Sequence, residues 1–363
     1  MSPSRVTLTY KFFWFLALLG LTEERAMKGL TVDFSALDVM VRMVSLAWYP
    51  LSFRLSFGHR DSLREIVGRV GEHVLLTGME TPDEVEAAIR ARIGSDPKEA
   101  LALSAITRDL RRYVPTAFLS PWKLGLEGPV NGKAVEATAG FPNGIPYRFL
   151  PGSREEGGWR VRMNPAWVPY LIDNIEVLRG YGYWRLAEFL QARNPSVPGI
   201  TLKLFHTEGD RSLAPQRKLW GRYLSAMSAG GKPVRCIYDP SVAIDPDDYA
   251  LDHFLPWKFV AHNQLWNLTP ATPGLNSSKS DQIPEVEAFI PRLVSQQAGF
   301  LRFCHAEKSG WTTILDDYAT QGLLERDILS DGAARKLERM YDEIYPPMEQ
   351  IALSMHFERW DFP

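Results

Sequence analysis

Asp252 and His253 stand side by side, Asn267 follows the histidine by fourteen positions, Asn276 comes nine further on, and Lys279 three after that. A carboxylate and a neutral amide oxygen form a ligand pair for a hard divalent cation and leave positions open to water and an anionic substrate. Two oxygen ligands suit Mg²⁺ or Mn²⁺ better than Zn²⁺, which prefers imidazole and thiolate. An imidazole titrates near neutrality and can take a proton from water beside such an ion. An ammonium one helical turn after Asn276 adds positive charge on the same side.

These groups need elements to bring them together. Two short apolar runs, 234–238 and 249–257, are separated by Asp239-Pro240 and the acidic stretch 245–248, which predicts a β-hairpin whose second strand ends at Asp252-His253. Asn276 reads as the cap of a following helix. Neighbouring residues of an extended strand point to opposite faces, so convergence of Asp252 and His253 requires the strand end to bend.

The pattern resembles the HNH (ββα-metal) nuclease family in its His-Asn-Asn version. Over residues 234–284 the spacing is similar to that of the HNH domain of CRISPR RNA-guided DNA nucleases, including a trailing Asn276-x-x-Lys279-Ser280-Asp281. The run from Tyr10 to Phe15 and Ala47-Trp48-Tyr49-Pro50 resemble uncharacterised bacterial HNH proteins. The resemblance implies a metal-dependent DNA endonuclease. In it Asp252 and Asn276 hold one Mg²⁺ or Mn²⁺, His253 deprotonates the attacking water, and Lys279 contacts the phosphate. Asn267, grouped with the catalytic residues, ties the loop and holds the backbone around His253. Phosphodiester hydrolysis needs such a set, because a crowded anionic phosphate must be neutralised while water attacks in line. Many relatives brace the hairpin with zinc on two Cys-x-x-Cys pairs. Here Cys236 is followed by Ile237, Tyr238 and Asp239, so no structural zinc is expected. Trp257, Phe259 and Trp266, together with flanking helices, are expected to brace it instead, with His262 as a loop residue.

Composition is otherwise ordinary. The 363 residues are 45% hydrophobic and 23% charged, which excludes wholesale disorder, and a net charge of −2 advertises no polyanion binder. That total hides a contrast: residues 203–235 carry seven Lys/Arg against two acids, and residues 285–363 carry eight against fourteen. Arg217, Lys218, Arg222, Lys232 and Arg235, with Lys258 beyond them, are the candidate nucleic-acid contacts, expected to give salt-sensitive, sequence-independent affinity. Two cysteines make no disulfide framework and fit a reducing cytosol. The apolar run 12–21 is too short to span a bilayer, and Thr22-Glu23-Glu24-Arg25 follows where a signal cleavage site should lie. It reads as a core helix entered from Thr7–Thr9, and a cytoplasmic protein with no membrane partner is expected. Phosphate-loop, dinucleotide and His-Glu-x-x-His motifs are absent from the sequence.

The expected fold class is α+β and mainly helical: an N-terminal helical domain at 1–150 with a recognition or regulatory role, a connector at 151–230 with a basic face, the ββα-metal module at 231–290, and a C-terminal helical segment at 291–363. Helices are expected over 34–48 (stopped by Pro50), after Asp61 as cap, from Thr81-Pro82, and over 97–114, 165–192 and 215–229. Strands are expected at 146–150 and 158–163, and the last helix is expected to break at Pro346-Pro347. Double-stranded DNA is the expected partner. A homodimer or partner proteins of a defence system are also expected, since one site cuts one strand; a place in anti-phage defence or restriction follows from family analogy. The competing readings are a catalytically silent nucleic-acid-binding or assembly module on the same fold, and an RNA-directed, toxin-like nuclease.

Overall fold

A computed structural model describes residues 8–74, 76, 80–205, 212–308 and 310–362. Thr7 and part of the basic stretch, 206–211, lie outside the described residues. The chain divides into two units: residues 1–195 with 200–206, and residues 196–199 with 207–363. Residues 151–195 therefore go with the first unit and 214–229 with the second.

The first unit contains α1 (Tyr10–Met27), β1 (Asp33–Ser35), α2 (Ala36–Ser52), α3 (Leu63–Gly71), α4 (Pro82–Ser95), α5 (Pro97–Ile106), α6 (Arg108–Phe118), α7 (Gly132–Ala137), β2 (Tyr147–Pro151), β3 (Trp159–Met163), α8 (Val168–Asp173) and α9 (Ile175–Gln191). Helix α1 is the apolar N-terminal run, buried at Phe12, Phe13, Trp14, Leu16 and Leu19 and packed on α2, α8 and α9. The antiparallel sheet, in order β1-β3-β2, turns Phe34, Tyr147, Phe149, Trp159 and Val161 inward. Several helix starts follow their sequence signals: Thr81 and Glu84 form a capping box at α4, as Ser35 and Asp38 do at α2.

Four expectations need correction. Helix α2 runs through Pro50 to Ser52, because a proline in the last turn removes only one hydrogen bond. The stretch 97–114 is divided at Thr107 into α5 and α6, and 165–192 at Asn174 into α8 and α9. Ser62, not Asp61, is the N-cap of α3; Asp61 accepts from the backbone N–H groups of Leu63 and Thr9 and from the Thr9 hydroxyl, tying the start of α1 to that of α3.

The second unit contains α10 (Ala214–Ala229), β4 (Ala250–His253), α11 (Trp257–Val260), β5 (Leu268–Ala271), α12 (Pro273–Lys279), α13 (Val286–Glu307), α14 (Trp311–Ala319), α15 (Glu325–Ile328) and α16 (Ala333–Ser354). Helix α16 continues through Pro346 and Pro347, because Leu337, Met340, Tyr341, Tyr345 and Ala352 bury its face and α13 packs against it. Strands β4 and β5 pair antiparallel, with Asp252 opposite Thr269 and His253 opposite Leu268. This corrects the expected hairpin: β4 is the first strand of its pair, and residues 234–238 contribute only an isolated bridge, Arg235 to Ala243. Pro270 is tolerated in β5 because a two-stranded sheet has only edges.

The connection between β4 and β5 is held from the C-terminal helices. The hydroxyls of Tyr341 and Tyr345 both donate to the Trp266 carbonyl, at 3.1 and 3.0 Å. The Gln297 amide donates to the Leu265 and Leu268 carbonyls, and Tyr318 donates to Gln297 Oε1. Trp266 packs on Tyr345 and Phe259 on Phe357. No helix among the described residues is long and apolar enough to cross a membrane.

Candidate active site

Strand β4 stays regular through His253, and its ladder continues as the Phe254 N–H donates to the Asn267 carbonyl at 2.8 Å. Asp252 and His253 therefore leave the strand on opposite faces, and the bend that their convergence was expected to require is not present. Asp252 is turned inward and only 4% exposed. The Tyr238 hydroxyl donates to its Oδ2, and the Lys279 ammonium lies 3.1 Å from both carboxylate oxygens. Burial pushes the Asp252 carboxyl above its usual range, opposed by the Lys279 charge and the Tyr238 hydrogen bond. Burial and the neighbouring Asp252 charge hold the Tyr238 hydroxyl well above its own ordinary value, so it remains a donor.

Lys279, expected at a substrate phosphate, is fully buried. Its ammonium also donates to the His253 carbonyl at 2.7 Å, so one side chain of α12 fixes both the carboxylate and the backbone at the end of β4. Asn276 stands inside α12 rather than at its start. The N-cap is Thr272, whose hydroxyl accepts from the Leu275 N–H, which corrects the capping role read from sequence. Lying three residues before Lys279, Asn276 shares its helix face. It is half-buried, and its side-chain amide makes no hydrogen bond with the described residues.

Half-buried His253 meets Asn263, with Nε2 and Asn263 Oδ1 2.9 Å apart. The Asn263 amide nitrogen donates in turn to the Ser212 carbonyl at 3.3 Å, which sets which end of the amide faces the imidazole. With the amide oxygen facing the ring, Nε2 is the donor of this hydrogen bond. Asn267 is fully buried and clamps one residue: its Oδ1 accepts from the Leu255 N–H and its Nδ2 donates to the Leu255 carbonyl, each at 2.9 Å. His262 packs against Trp266 within the loop.

Two of these positions carried no sequence signal of their own. Tyr238 is only the last residue of an apolar run fourteen positions before Asp252, and Asn263 is one amide among several in a polar loop. A hydroxyl placed to meet a carboxylate across a loop shows in no local pattern.

The candidate nucleic-acid contacts separate by partner. Arg222 pairs with Glu307 at 3.7 Å and Lys258 with Asp281 at 2.6 Å. Arg217 is exposed, lies over the Tyr249 ring and donates to the Tyr249 carbonyl. Lys218, Lys232 and Arg235 are exposed and have no carboxylate partner among the described residues.

No cluster of three His, Cys, Asp or Glu gathers as a metal site among the described residues. What remains is one carboxylate and one amide oxygen with no hydrogen-bond partner, both hard donors that fit Mg²⁺ or Mn²⁺ in kind. Tyr238, Lys279 on both oxygens, and the His253 backbone already occupy the Asp252 carboxylate, so a cation there would have to displace one of them.

No curated protein and no solved structure matches the chain significantly. The family model of the HNH endonucleases matches residues 239–285, the segment that contains β4, β5, α12 and every group at the candidate site except Tyr238 and Ser212. HNH domains are nuclease domains that generally use a divalent cation, and residues 239–285 of this chain match the model of that family.

Proposed function

We propose that the chain hydrolyses DNA phosphodiester bonds, with His253 as general base and with Asp252 and Asn276 as the protein ligands of one Mg²⁺ or Mn²⁺. The observation that carries this reading is the docking of α12 on the end of β4. It sets Lys279 on Asp252 and puts Asn276 one turn away on the same helix face, within the segment that matches the family. A bound divalent cation supplies charge neutralisation at a phosphate oxygen and at the leaving oxygen.

The chain's own residues do the rest. The Asn263 amide orients the His253 ring, which receives the proton of the attacking water. Asn267 keeps the backbone beyond His253 in place through Leu255. Lys279 stabilises the Asp252 carboxylate and the turn of chain that carries His253, a positioning role from within the fold. A duplex is the substrate that fits a basic α10 surface, and a role in anti-phage defence rests on family analogy alone.

One observation favours the silent module instead. Asp252 is nearly closed off, with an ammonium between its two oxygens. Supercoiled plasmid, linear duplex, single strands and RNA incubated with Mg²⁺ separate the readings. Plasmid nicking that disappears with His253→Ala supports the DNA nuclease. Cleavage confined to RNA supports the toxin-like reading, and duplex binding without cleavage of any substrate supports the silent module.

A further inference from the structure

On the second unit, a groove of about 430 Å³ runs between the end of α10, residues 232–237 and α13. Its size lies in the range of small-ligand sites, roughly 300–1,000 Å³. Lys232, Arg235 and Arg292 line it, no Asp or Glu does, and Met227, Pro233 and Pro291 supply apolar wall. None of the three cations has a carboxylate within ion-pair distance among the described residues. Asp239 feels the Arg292 charge, but from outside the groove.

Two of these cations are held in place. Arg235 Nη1 donates to the Ser241 carbonyl at 2.7 Å. Arg292 Nη1 donates to the Ile237 carbonyl at 2.9 Å while its guanidinium lies 5.7 Å from the Phe289 ring centroid. A guanidinium anchored through one nitrogen keeps its other N–H groups pre-oriented for an anion. Like charges gathered at a concave, partly apolar surface focus a positive potential and are stabilised by an anion that bridges them.

The groove also touches the framework of the candidate active site. Arg292 holds the Ile237 carbonyl, and the next residue, Tyr238, holds Asp252. The Arg235 carbonyl accepts from Gln296 Nε2, and Gln296 Oε1 accepts from the hydroxyl of Thr269, the residue opposite Asp252.

We infer that this groove binds the phosphate of a nucleotide, with Lys232, Arg235 and Arg292 on the anion and the Met227–Pro291 wall against sugar and base. The inference rests on the nuclease reading only for the class of ligand. The phosphate belongs either to a nucleic-acid strand or to a free nucleotide.

The test is binding of a labelled duplex to the full chain in EDTA, with no cleavage required. Lys232→Gln/Arg235→Gln is compared with Lys336→Gln/Arg339→Gln, which makes the same charge change on α16. The groove variant is expected to lose about tenfold in affinity and to lower the slope of log K against log salt by about 2, since each phosphate contact contributes about 0.9. The α16 control is expected to change neither. Adenosine monophosphate that competes with the duplex on the native chain, and fails to bind the groove variant, assigns the groove to a free nucleotide. Loss of duplex affinity without competition assigns it to a strand phosphate. Equal losses in the groove and control variants, or no loss of duplex or nucleotide binding in either, overturn the inference. Groove-dependent binding with no cleavage of any substrate would sink the nuclease reading and leave the site standing.

Discussion

The Lys279 ammonium lies 3.1 Å from each oxygen of the Asp252 carboxylate, with both residues almost entirely out of solvent. Two charges leave water here only because they meet each other, and because Tyr238 and the His253 carbonyl complete their hydrogen bonds. The pair joins α12 to β4 and so sets the positions of Asn276 and His253.

Breaking the pair from one side leaves a buried charge alone. With divalent ions chelated, Lys279→Met is expected to destabilise the second unit by about 3–5 kcal/mol. The triple variant Asp252→Leu/Lys279→Met/Tyr238→Phe removes the whole polar cluster and is expected to recover most of that loss. Urea denaturation followed by tryptophan fluorescence checks both; a triple variant as unstable as the single one would refute the pair as the cause.

Tyr238→Phe removes one donor to the carboxylate and nothing else. A loss of about 1.5–3 kcal/mol is expected for a hydrogen bond to a charged group, smaller than that of Lys279→Met. Unchanged stability would mean that the hydroxyl does not hold Asp252.

Asn263→Leu removes the acceptor that fixes the His253 tautomer. Loss of such an orienting partner lowers activity by about 10–100-fold, and the fall is expected in kcat with KM unchanged. Asn263→Asp keeps an acceptor oxygen and is expected to restore much of the rate. The ¹⁵N resonances of the His253 ring, assigned by their absence in His253→Ala, are expected to report an Nε2–H tautomer in the native chain and a mixture in Asn263→Leu. An unchanged tautomer in the variant counts against the role.

Asp317 accepts from the Leu265 N–H at the entrance to the loop, and burial followed by the Asp316 charge pushes its carboxyl up. A carboxyl raised in the folded state stabilises the fold below its unfolded pKa, and that contribution is lost as pH rises through the folded value. Asp317→Asn keeps an acceptor and discards the charge. It is expected to match the native chain in acid and to exceed it near neutrality by less than about 1 kcal/mol. Denaturation midpoints across that pH range check the sign.

Much of the site was legible because its groups sit at fixed offsets along the chain: Asp252, His253, Asn276 and Lys279 fall on the strand and helix that the spacing implied. The partner of β4 was not. Residues 268–271, Leu-Thr-Pro-Ala, include a proline and give a weak strand signal, whereas 234–238 look like a strand and lie nearer the turn residues. Strand pairing is decided by tertiary burial, and all four residues of β5 are buried. Lys279 was misplaced for a related reason: composition marks a lysine as solvated, and only the neighbourhood of Asp252 draws it inside. The helices through Pro50 and Pro346-Pro347 show packing overriding a local breaker.

The central claim is that Asp252 and Asn276 together hold one cation beside His253. Calorimetric titration of Mn²⁺ into the His253→Ala chain bound to duplex tests it most directly. One ion per chain is predicted, lost on adding Asp252→Ala or Asn276→Ala. No ion in the parent chain, or full binding retained in both variants, would contradict it.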